Sequence, residues 1–199
     1  MRLQIQLEKD TPNLEKNDLE DLHLAVQTIK KRSAGLIRFV QDFRNLTHIP
    51  KPKLAILTVK EMMDEILVLL KTEIKKESIT ISSTVEPANL TINADKELIE
   101  QVLINLLKNA IQSFDEHTNK LIEINGYIND KNRPVIAVKD NGSGIDEEAL
   151  LKIFIPFFTT KKSGSGIGLS LSRQIMRQHQ GVLAVKSKID EGTEFELRF

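Results

Sequence analysis

The chain has 199 residues, with 28 basic and 28 acidic side chains and no net charge, which argues against nucleic acid as a partner. It contains no cysteine, which excludes disulfides and cysteine-ligated zinc and suits a reducing compartment. No apolar run reaches the ~18 residues of a membrane span, and no secretory leader opens the chain. We therefore expect a cytoplasmic protein, in which any membrane anchoring would depend on segments upstream of this chain.

A heptad pattern follows an ambiguous beginning. Residues 1–17 allow a strand or a helical turn, and Thr11-Pro12-Asn13 predicts a turn. The heptad positions then step alternately by three and four: Leu19, Leu22, Val26, Ile29, Ser33, Leu36, Val40, Phe43 and Thr47. This seam predicts a long helix from Asp18 that needs a partner helix to bury it. We expect a helical hairpin or dimeric bundle, with Pro50-Lys51-Pro52 as the domain boundary.

Beyond that boundary, helix and strand patterns alternate. An amphipathic helix is predicted from the apolar residues Val59, Met62, Met63, Ile66, Leu67, Leu69, Leu70 and Ile74. Strands are predicted at residues 54–57, 79–85, 121–128, 135–140, 182–188 and 193–199, and a final helix at 169–180, closed by Gly181. This order predicts an α+β fold, a two-layer α/β sandwich in which a mixed sheet is covered by helices on one face.

An apolar helical segment with two asparagines inside it lies in the middle of the chain. Asp95 is placed as its N-cap, and its apolar residues have a helical period: Leu98, Ile99, Val102, Leu103, Leu106, Leu107, Ala110 and Ile111. Asn105 and Asn109 are four residues apart and therefore lie on one side of the helix. Because Asn is a weak helix former, the pair is either a solvated margin or part of a site for a hydrated cation.

Two glycine-rich stretches and a loop between them are candidates for a ligand site. Asp140, followed by Gly142 and Gly144, is either part of an ordinary turn or a carboxylate aimed into a cleft. The Ser163–Leu169 stretch opens the last helix, where backbone N–H groups could hold an anion, or it is a flexible linker. Residues 154–161 contain three aromatic side chains and could form a lid or a loop packed on the core.

The combination of these motifs is far more specific than any one of them. In order, the chain carries N-x-x-x-N-A on a helix, D-x-G-x-G-I after a strand, F-x-P-F-F-T-T-K, G-x-G-x-G-L and a final G-T-x-F strand. The whole resembles the ATP-binding domain of the bacterial sensor histidine kinases, within the superfamily shared with gyrase, the Hsp90 chaperones and MutL. The resemblance implies a catalytic domain at residues 51–199. Residues 1–50 resemble part of the dimerisation and phosphoacceptor region of nitrogen-regulation sensor kinases.

The resemblance implies that ATP binds with its base near Asp140. This carboxylate would accept a hydrogen bond from the adenine amine, and Thr193 would support the same edge of the purine. Gly142 and Gly144 would let the backbone lie against the base. Further residues matching the nucleotide-binding boxes are Ile145, Phe154, Thr159, Thr160, Ile167 and Leu169.

The same resemblance implies a phosphate and Mg²⁺ site. Asn109 would give its carbonyl oxygen to Mg²⁺, with Asn105 beside the metal and Lys161 reaching the phosphates. The glycines that would cradle the phosphates are Gly164, Gly166 and Gly168. Hydrolysing relatives carry a glutamate as general base where Asn105 stands, so we expect phosphoryl transfer to a side chain rather than efficient hydrolysis. Gln112 stands where many family members have a basic residue.

The phosphoacceptor motif of the family, a histidine followed by an acid, is not found in this sequence. His23 is followed by Leu24, and it fits a heptad neighbour better than an acceptor. None of the other histidines has metal-ligand spacing: His48, His117 and His179. The resemblance therefore implies a fragment without its phosphoacceptor helix, which forms a homodimer through the heptad helix and works with a response regulator.

Three functions remain open on the sequence alone. The first is a protein histidine kinase of two-component signalling, whose autokinase activity is uncertain because the acceptor motif is absent. The second is a nucleotide-binding regulatory module without kinase output. The third is a serine-directed protein kinase of the same superfamily.

Overall fold

The computed structural model describes residues 16–47, 49–114, 119–161 and 164–199. The chain divides into two units, one up to Arg44 and one from Asn45 onward. The predictions for residues 1–15 and the positions of His48, His117 and Ser163 lie outside the described residues. In the part of the chain that is described, no helix is both long and apolar enough to cross a membrane.

Helix α1, Lys16–Thr47, has 32 residues, and its part up to Arg44 belongs to the first unit. Its bounds agree with the helix predicted from the heptad pattern. The large apolar side chains of the seam that the structure describes are between 51 and 65 % exposed: Leu22, Val26, Ile29, Leu36, Val40 and Phe43. The seam is therefore an apolar stripe that a single chain leaves open to solvent.

The elements of the second unit follow the predicted order. They are β1 (Ala55–Thr58), α2 (Val59–Lys76), β2 (Thr80–Glu86), β3 (Thr91–Ala94), α3 (Lys96–Ile111), β4 (Leu121–Ile128), β5 (Pro134–Asp140), α4 (Glu147–Leu150), α5 (Gly168–Gln178), β6 (Val182–Lys188) and β7 (Gly192–Arg198). The predicted strands agree within one residue at each end. Strand β3 was not predicted, because its four residues continue directly into the N-cap of α3.

One five-stranded sheet organises the second unit. Its strand order is β2-β4-β5-β7-β6, with β2 parallel to β4 and the other neighbours antiparallel. Strands β1 and β3 form a separate antiparallel pair. Helices α2, α3 and α5 pack against the sheet and share one hydrophobic core with it. This confirms the predicted mixed sheet covered by helices on one face.

Three rows of side chains cross the sheet beneath the helices. The first two are apolar or glycine: Gly126, Ile136, Leu197 and Leu183 in one, and Ile124, Val138, Phe195 and Val185 in the next. The third row contains Ile122, Asp140, Thr193 and Ser187. Because the same alternation continues into polar residues, the sheet itself delivers a carboxylate and two hydroxyl groups to one end of the core.

The opposite face of the sheet carries charged side chains on four of its strands. One of its rows alternates in sign across β4, β5, β7 and β6: Glu123, Lys139, Glu194 and Lys186. Lys139 Nζ lies 3.4 Å from Glu123 Oε2, and Lys186 Nζ lies 3.2 Å from Glu196 Oε1. An antiparallel sheet can face water when cross-strand charges alternate in this way.

Two details of the helix predictions were wrong. Leu69 is 66 % exposed, because the buried face of α2 follows Met62, Ile66 and Leu70 and leaves position 69 on the outer side. At the end of α5 the left-handed residue is Gln180, with φ +57°, rather than Gly181. Gln180 N donates to Arg177 O at 3.0 Å and Gly181 N to Met176 O at 2.9 Å, which is the Schellman pattern shifted by one residue.

Candidate functional site

Helix α3 forms one wall of the site. Its N-cap is Asp95, as predicted, with Oδ1 accepting a hydrogen bond from Leu98 N at 3.2 Å. The apolar residues predicted to be buried are all buried, which fixes the rotation of the helix about its axis. Asn105 and Asn109 consequently lie half-buried at the margin of the core, and both face the same cavity.

That cavity has a volume of about 600 Å³ and lies between α3, the end of β5, residues 153–161 and 164–166, and the start of α5. It brings together most of the residues that were selected from the sequence. Those that line it are Asn105, Asn109, Asp140, Gly144, Ile145, Thr159, Thr160, Lys161, Gly164, Gly166, Gly168, Leu169 and Thr193. The cavity also has lining residues that were not predicted: Lys108, Ser113, Ser143, Ala149, Ile153, Phe158, Ser165 and Phe195.

Asp140 is the buried carboxylate of the cavity, with 5 % of its surface exposed. Its Oδ1 accepts hydrogen bonds from Gly142 N and from Ser113 Oγ, each at 2.9 Å. Burial raises the pKa of Asp140 above its ordinary value, while these hydrogen bonds and that from Thr193 N lower it in part. The carboxylate is therefore oriented by the protein, and it lines the cavity as a hydrogen-bond acceptor.

Thr193 lies beside Asp140 in the register of β5 and β7 and is 6 % exposed. Its hydroxyl is 2.9 Å from Ser187 Oγ, which also accepts a hydrogen bond from Ile145 N at 2.8 Å. Ser187 thus links the edge strand to the loop that follows Asp140. A Cβ on Gly144 would lie 2.0 Å from Lys188 O, and φ there is +70°, so only glycine suits this turn.

Helices α3 and α5 meet directly at Asn105. Its Nδ2 donates to Ser172 Oγ at 3.0 Å, and Ser172 is buried. A Cβ built on Gly168 would lie only 2.1 Å from Asn105 Oδ1. The last glycine of the G-x-G-x-G stretch therefore gives the carboxamide room beside the first turn of α5.

The preceding glycines are explained by how the loop folds back on itself. Phe157 N donates to Gly166 O at 2.9 Å and so joins the two ends of the loop at its base. Gly166 has φ +69°, and its Cβ would lie 2.5 Å from the carbonyl carbon of Phe157. A Cβ on Gly164 would lie 2.6 Å from Thr159 Oγ1. These glycines let the loop close tightly in front of α5, and both line the cavity.

Lys161 extends from this loop towards α3. Its Nζ donates to Gln112 Oε1 at 3.1 Å and to Asn109 Oδ1 at 3.4 Å. Burial lowers the pKa of the Lys161 ammonium below its ordinary value, and the Asp140 carboxylate acts in the opposite direction. A partly desolvated cation therefore sits between the two carboxamides on the wall of the cavity.

Three predicted site residues do not line the cavity. The space beside Gly142 is taken by Ser113, whose Oγ would lie 2.0 Å from an added Cβ, and Gly142 acts on Asp140 through its N–H. The Phe154 ring packs against the core and under the Arg173 guanidinium, 4.7 Å from its centroid. Ile167 is 3 % exposed and belongs to the buried residues.

Asn109 provides an oxygen suited to a hard cation. Among the described residues, no group of three or more His, Cys, Asp or Glu side chains could hold a metal ion. The metal ligand that Asn109 offers at the cavity wall is a neutral carboxamide oxygen. This oxygen accepts a hydrogen bond from the Lys161 ammonium. Such a site fits Mg²⁺, which takes few protein ligands and keeps waters or phosphate oxygens for the rest.

Replacing Gly168 by Ala is expected to lower the free energy of unfolding of the second unit by about 1–3 kcal/mol, because the new methyl group overlaps Asn105 Oδ1. Urea unfolding measures this cost. The matched control is Gly35→Ala on α1, where nothing lies within 4 Å of the added atom. The same loss of unfolding free energy from Gly168→Ala should not occur when Asn105 is already replaced by Ala. An equal loss in that background would show that the Asn105 carboxamide is not the group that clashes.

The chain resembles known proteins over the region that carries this cavity. Residues 94–199 match the model of the family described as histidine kinase-, DNA gyrase B-, and HSP90-like ATPase. Sporulation kinase A of Bacillus subtilis is 37 % identical over 143 residues, which cover 72 % of this chain and 23 % of that protein. The histidine-protein kinase AtoS of Escherichia coli is 39 % identical over 140 residues, covering 70 % of this chain and 23 % of AtoS.

A solved structure agrees with this relationship. The catalytic domain of the histidine kinase ThkA superposes with a TM-score of 0.65 at 33 % identity, covering 74 % of this chain and 95 % of that domain. The chain spans about a quarter of the length of the two curated relatives. The family model matches more than half of the 199 residues. The chain therefore belongs to the histidine kinase-, DNA gyrase B- and HSP90-like ATPase family.

Proposed function

We propose that this chain is the ATP-binding catalytic part of a sensor histidine kinase, which transfers the γ-phosphoryl group of ATP to a histidine of a protein. One observation carries the proposal. A single cavity has the buried Asp140 acceptor on its sheet side and Asn109, Lys161 and the first turn of α5 around the rest of its wall. An adenine recognised by a carboxylate and a triphosphate held by cations and helix N–H groups need this combination.

In this proposal the base is selected on the sheet side of the cavity. Asp140 accepts a hydrogen bond from the exocyclic amine of adenine, and Thr193 supports the same edge. The contacts from Gly142 N and Ser113 Oγ support this role, because they orient the carboxylate before any ligand binds. Gly144 and Ile145 lie along the same wall and would contact the face of the base.

The phosphates would lie between α3 and α5. The N–H groups of the first turn of α5 face negative charge favourably, and Lys161 adds a cation. Mg²⁺, when bound, would be held through Asn109 Oδ1 and would neutralise charge on the phosphate oxygens. Asn105 keeps its carboxamide beside this site through the Ser172 hydrogen bond. A carboxamide cannot take a proton from water at neutral pH, which favours transfer over hydrolysis.

In the transfer step, a histidine ring nitrogen forms a bond to the γ-phosphorus, and the phosphorus–oxygen bond to ADP breaks. The residues of the cavity position the triphosphate in line for this attack. The acceptor would come from another helical segment, since the family's acceptor motif is not found in this sequence. The serine-directed alternative differs from this proposal in the acceptor residue, and the purely nucleotide-binding alternative differs in having no transfer step.

The proposal includes a homodimer formed through α1 and a response regulator as the next phosphate acceptor, in the cytoplasm. The exposed heptad seam of α1 supports the dimer, because a narrow apolar stripe is buried by a second helix of the same kind. A ThkA structure solved with the response regulator TrrA has a TM-score of 0.71 at 26 % identity and supports that partner class. A monomeric mass in light scattering would contradict the dimer.

The experiment is phosphoryl transfer in trans. The purified chain is incubated with Mg²⁺ and γ-labelled ATP together with a separate helical hairpin carrying a histidine followed by an acid. We expect label on the hairpin that is lost in acid and stable in alkali, as for phosphohistidine. A hairpin with its histidine replaced by glutamine is the matched control. Acid-stable label would favour the serine-directed alternative, and ATP binding without transfer would favour the regulatory module.

A further inference from the structure

Gln112 is the residue that the mechanism above leaves without a role. It is the C-cap of α3, and its side chain lies on the surface at the mouth of the cavity. Its Oε1 accepts a hydrogen bond from Lys161 Nζ at 3.1 Å, across 49 residues of sequence. This is shorter than the 3.4 Å from the same ammonium to Asn109 Oδ1.

The two carboxamides are three residues apart and thus lie on neighbouring turns of one helix face. Together they hold the end of the long, flexible Lys161 side chain. Without them, ligand binding would have to restrict the rotamers of this side chain, which costs conformational entropy. A carboxamide oxygen also leaves the charge of the ammonium intact. A carboxylate at position 112 would form an ion pair and offset the positive charge that an anion needs.

Gln112 and Asn109 would not be equivalent once a nucleotide binds. If Asn109 Oδ1 takes a metal ion, as in the proposed function, it can no longer hold the ammonium. Gln112 Oε1 then remains to keep Lys161 at the wall of the cavity. Lys108 lines the same cavity, but it is exposed and its ammonium makes no hydrogen bond or ion pair within the described part of the chain.

We propose that Gln112 is a positioning residue that holds the Lys161 ammonium against α3 for contact with the phosphates of ATP. The inference rests on the proposed function and adds a residue to it. It also gives the exposed carboxamide at the end of α3 a purpose, because the Lys161 ammonium that it holds comes from the loop. Gln112 acts through Lys161 and does not itself contact the nucleotide.

The test is a double-mutant cycle of MgATP affinity, measured by titration calorimetry on the whole chain. We expect Gln112→Ala and Lys161→Met each to weaken MgATP binding about tenfold, as for loss of a hydrogen bond to a charged group. The double variant should be no weaker than Lys161→Met alone, since both changes remove one contact. For Gln112→Ala, adenosine affinity and the unfolding midpoint should not change, because Gln112 is exposed and adenosine has no phosphates for Lys161 to contact.

Two further variants sharpen the result. Gln112→Lys combined with Lys161→Met moves the cation from the loop to α3 and should restore most of the lost affinity. Gln101→Ala changes an exposed glutamine of the same helix that does not line the cavity, and it should have no effect.

The outcomes separate the two proposals. A folded wild-type chain that does not bind MgATP would overturn the proposed function. Wild-type binding with an unchanged Gln112→Ala affinity would overturn only the role of Gln112. That role is also overturned if Gln112→Ala weakens the Lys161→Met variant by a further tenfold, because Gln112 would then act independently of Lys161.

Discussion

Asp140→Asn is expected to weaken ATP binding at least about 100-fold while leaving the second unit at least as stable as the wild type. The amide oxygen of Asn can still accept the hydrogen bonds from Gly142 N and Ser113 Oγ. Its NH₂ group replaces the other carboxylate oxygen and would face the adenine amine, so that two donors oppose each other. The substitution is therefore expected to weaken ATP binding while keeping the hydrogen bonds from Gly142 N and Ser113 Oγ.

The stability part of this prediction follows from the pKa. Burial raises the pKa of Asp140, so the ionised carboxylate is disfavoured in the folded state relative to the unfolded state. At a pH above both the unfolded-state and the folded-state pKa of Asp140, this desolvation of the charged carboxylate costs stability. A neutral amide of the same shape avoids the cost, and urea unfolding should give an equal or higher midpoint.

A change of purine provides an internal control for Asp140→Asn. A 6-oxo purine presents an acceptor where adenine presents an amine. Asp140→Asn should therefore reduce the affinity for inosine triphosphate much less than that for ATP, or increase it. Asp130→Asn, in the exposed turn between β4 and β5, is the matched variant that should change nothing. Equal ATP affinity of Asp140→Asn and wild type would remove Asp140 from the base site.

Asn109→Ala is expected to reduce phosphoryl transfer in trans about 1000-fold, because it removes the carboxamide oxygen proposed for Mg²⁺. ATP affinity measured with EDTA should stay close to wild type, because the shorter contact from Lys161 Nζ to Gln112 Oε1 remains. The gain in affinity on adding Mg²⁺ should disappear. Transfer is measured with the labelled-ATP assay and affinity by calorimetry. Asn93→Ala, an exposed asparagine of β3, is the matched control.

The two readouts decide between a metal ligand and a structural role for Asn109. A general disturbance of α3 would weaken ATP binding with and without Mg²⁺ alike. Loss of a metal ligand would remove only the part of the ATP affinity that depends on Mg²⁺. Full transfer by Asn109→Ala would show that the metal is held without this residue.

The direction of several site residues can be predicted from the sequence, because it depends on the period of apolar residues within one helix or strand. The apolar period of α3 fixes which side of the helix is buried, and this fixes the direction of Asn105 and Asn109. The alternation in β5 and β7 similarly brings Asp140 and Thr193 to the inner face. Ser113 also had a local signal that was missed, since it continues the spacing of the two asparagines by one further turn.

Other parts of the site depend on contacts between distant segments. Ser172 holds Asn105 across 67 residues of sequence, and Gln112 holds Lys161 across 49. The period of apolar residues in a sequence does not predict contacts between segments so far apart. The glycines were expected because of a ligand, yet the structure explains each by a protein atom: Asn105 Oδ1 for Gly168 and Ser113 Oγ for Gly142. A glycine motif in a sequence does not reveal which neighbour excludes the side chain.

The most direct test of the proposed nucleotide site is a structure of the chain with Mg²⁺ and a non-hydrolysable ATP analogue. We expect the adenine amine within about 3 Å of an Asp140 carboxylate oxygen and a metal ion about 2.1 Å from Asn109 Oδ1. We also expect the triphosphate at the first turn of α5. A nucleotide bound elsewhere, or with its base turned away from Asp140, would contradict the proposed function.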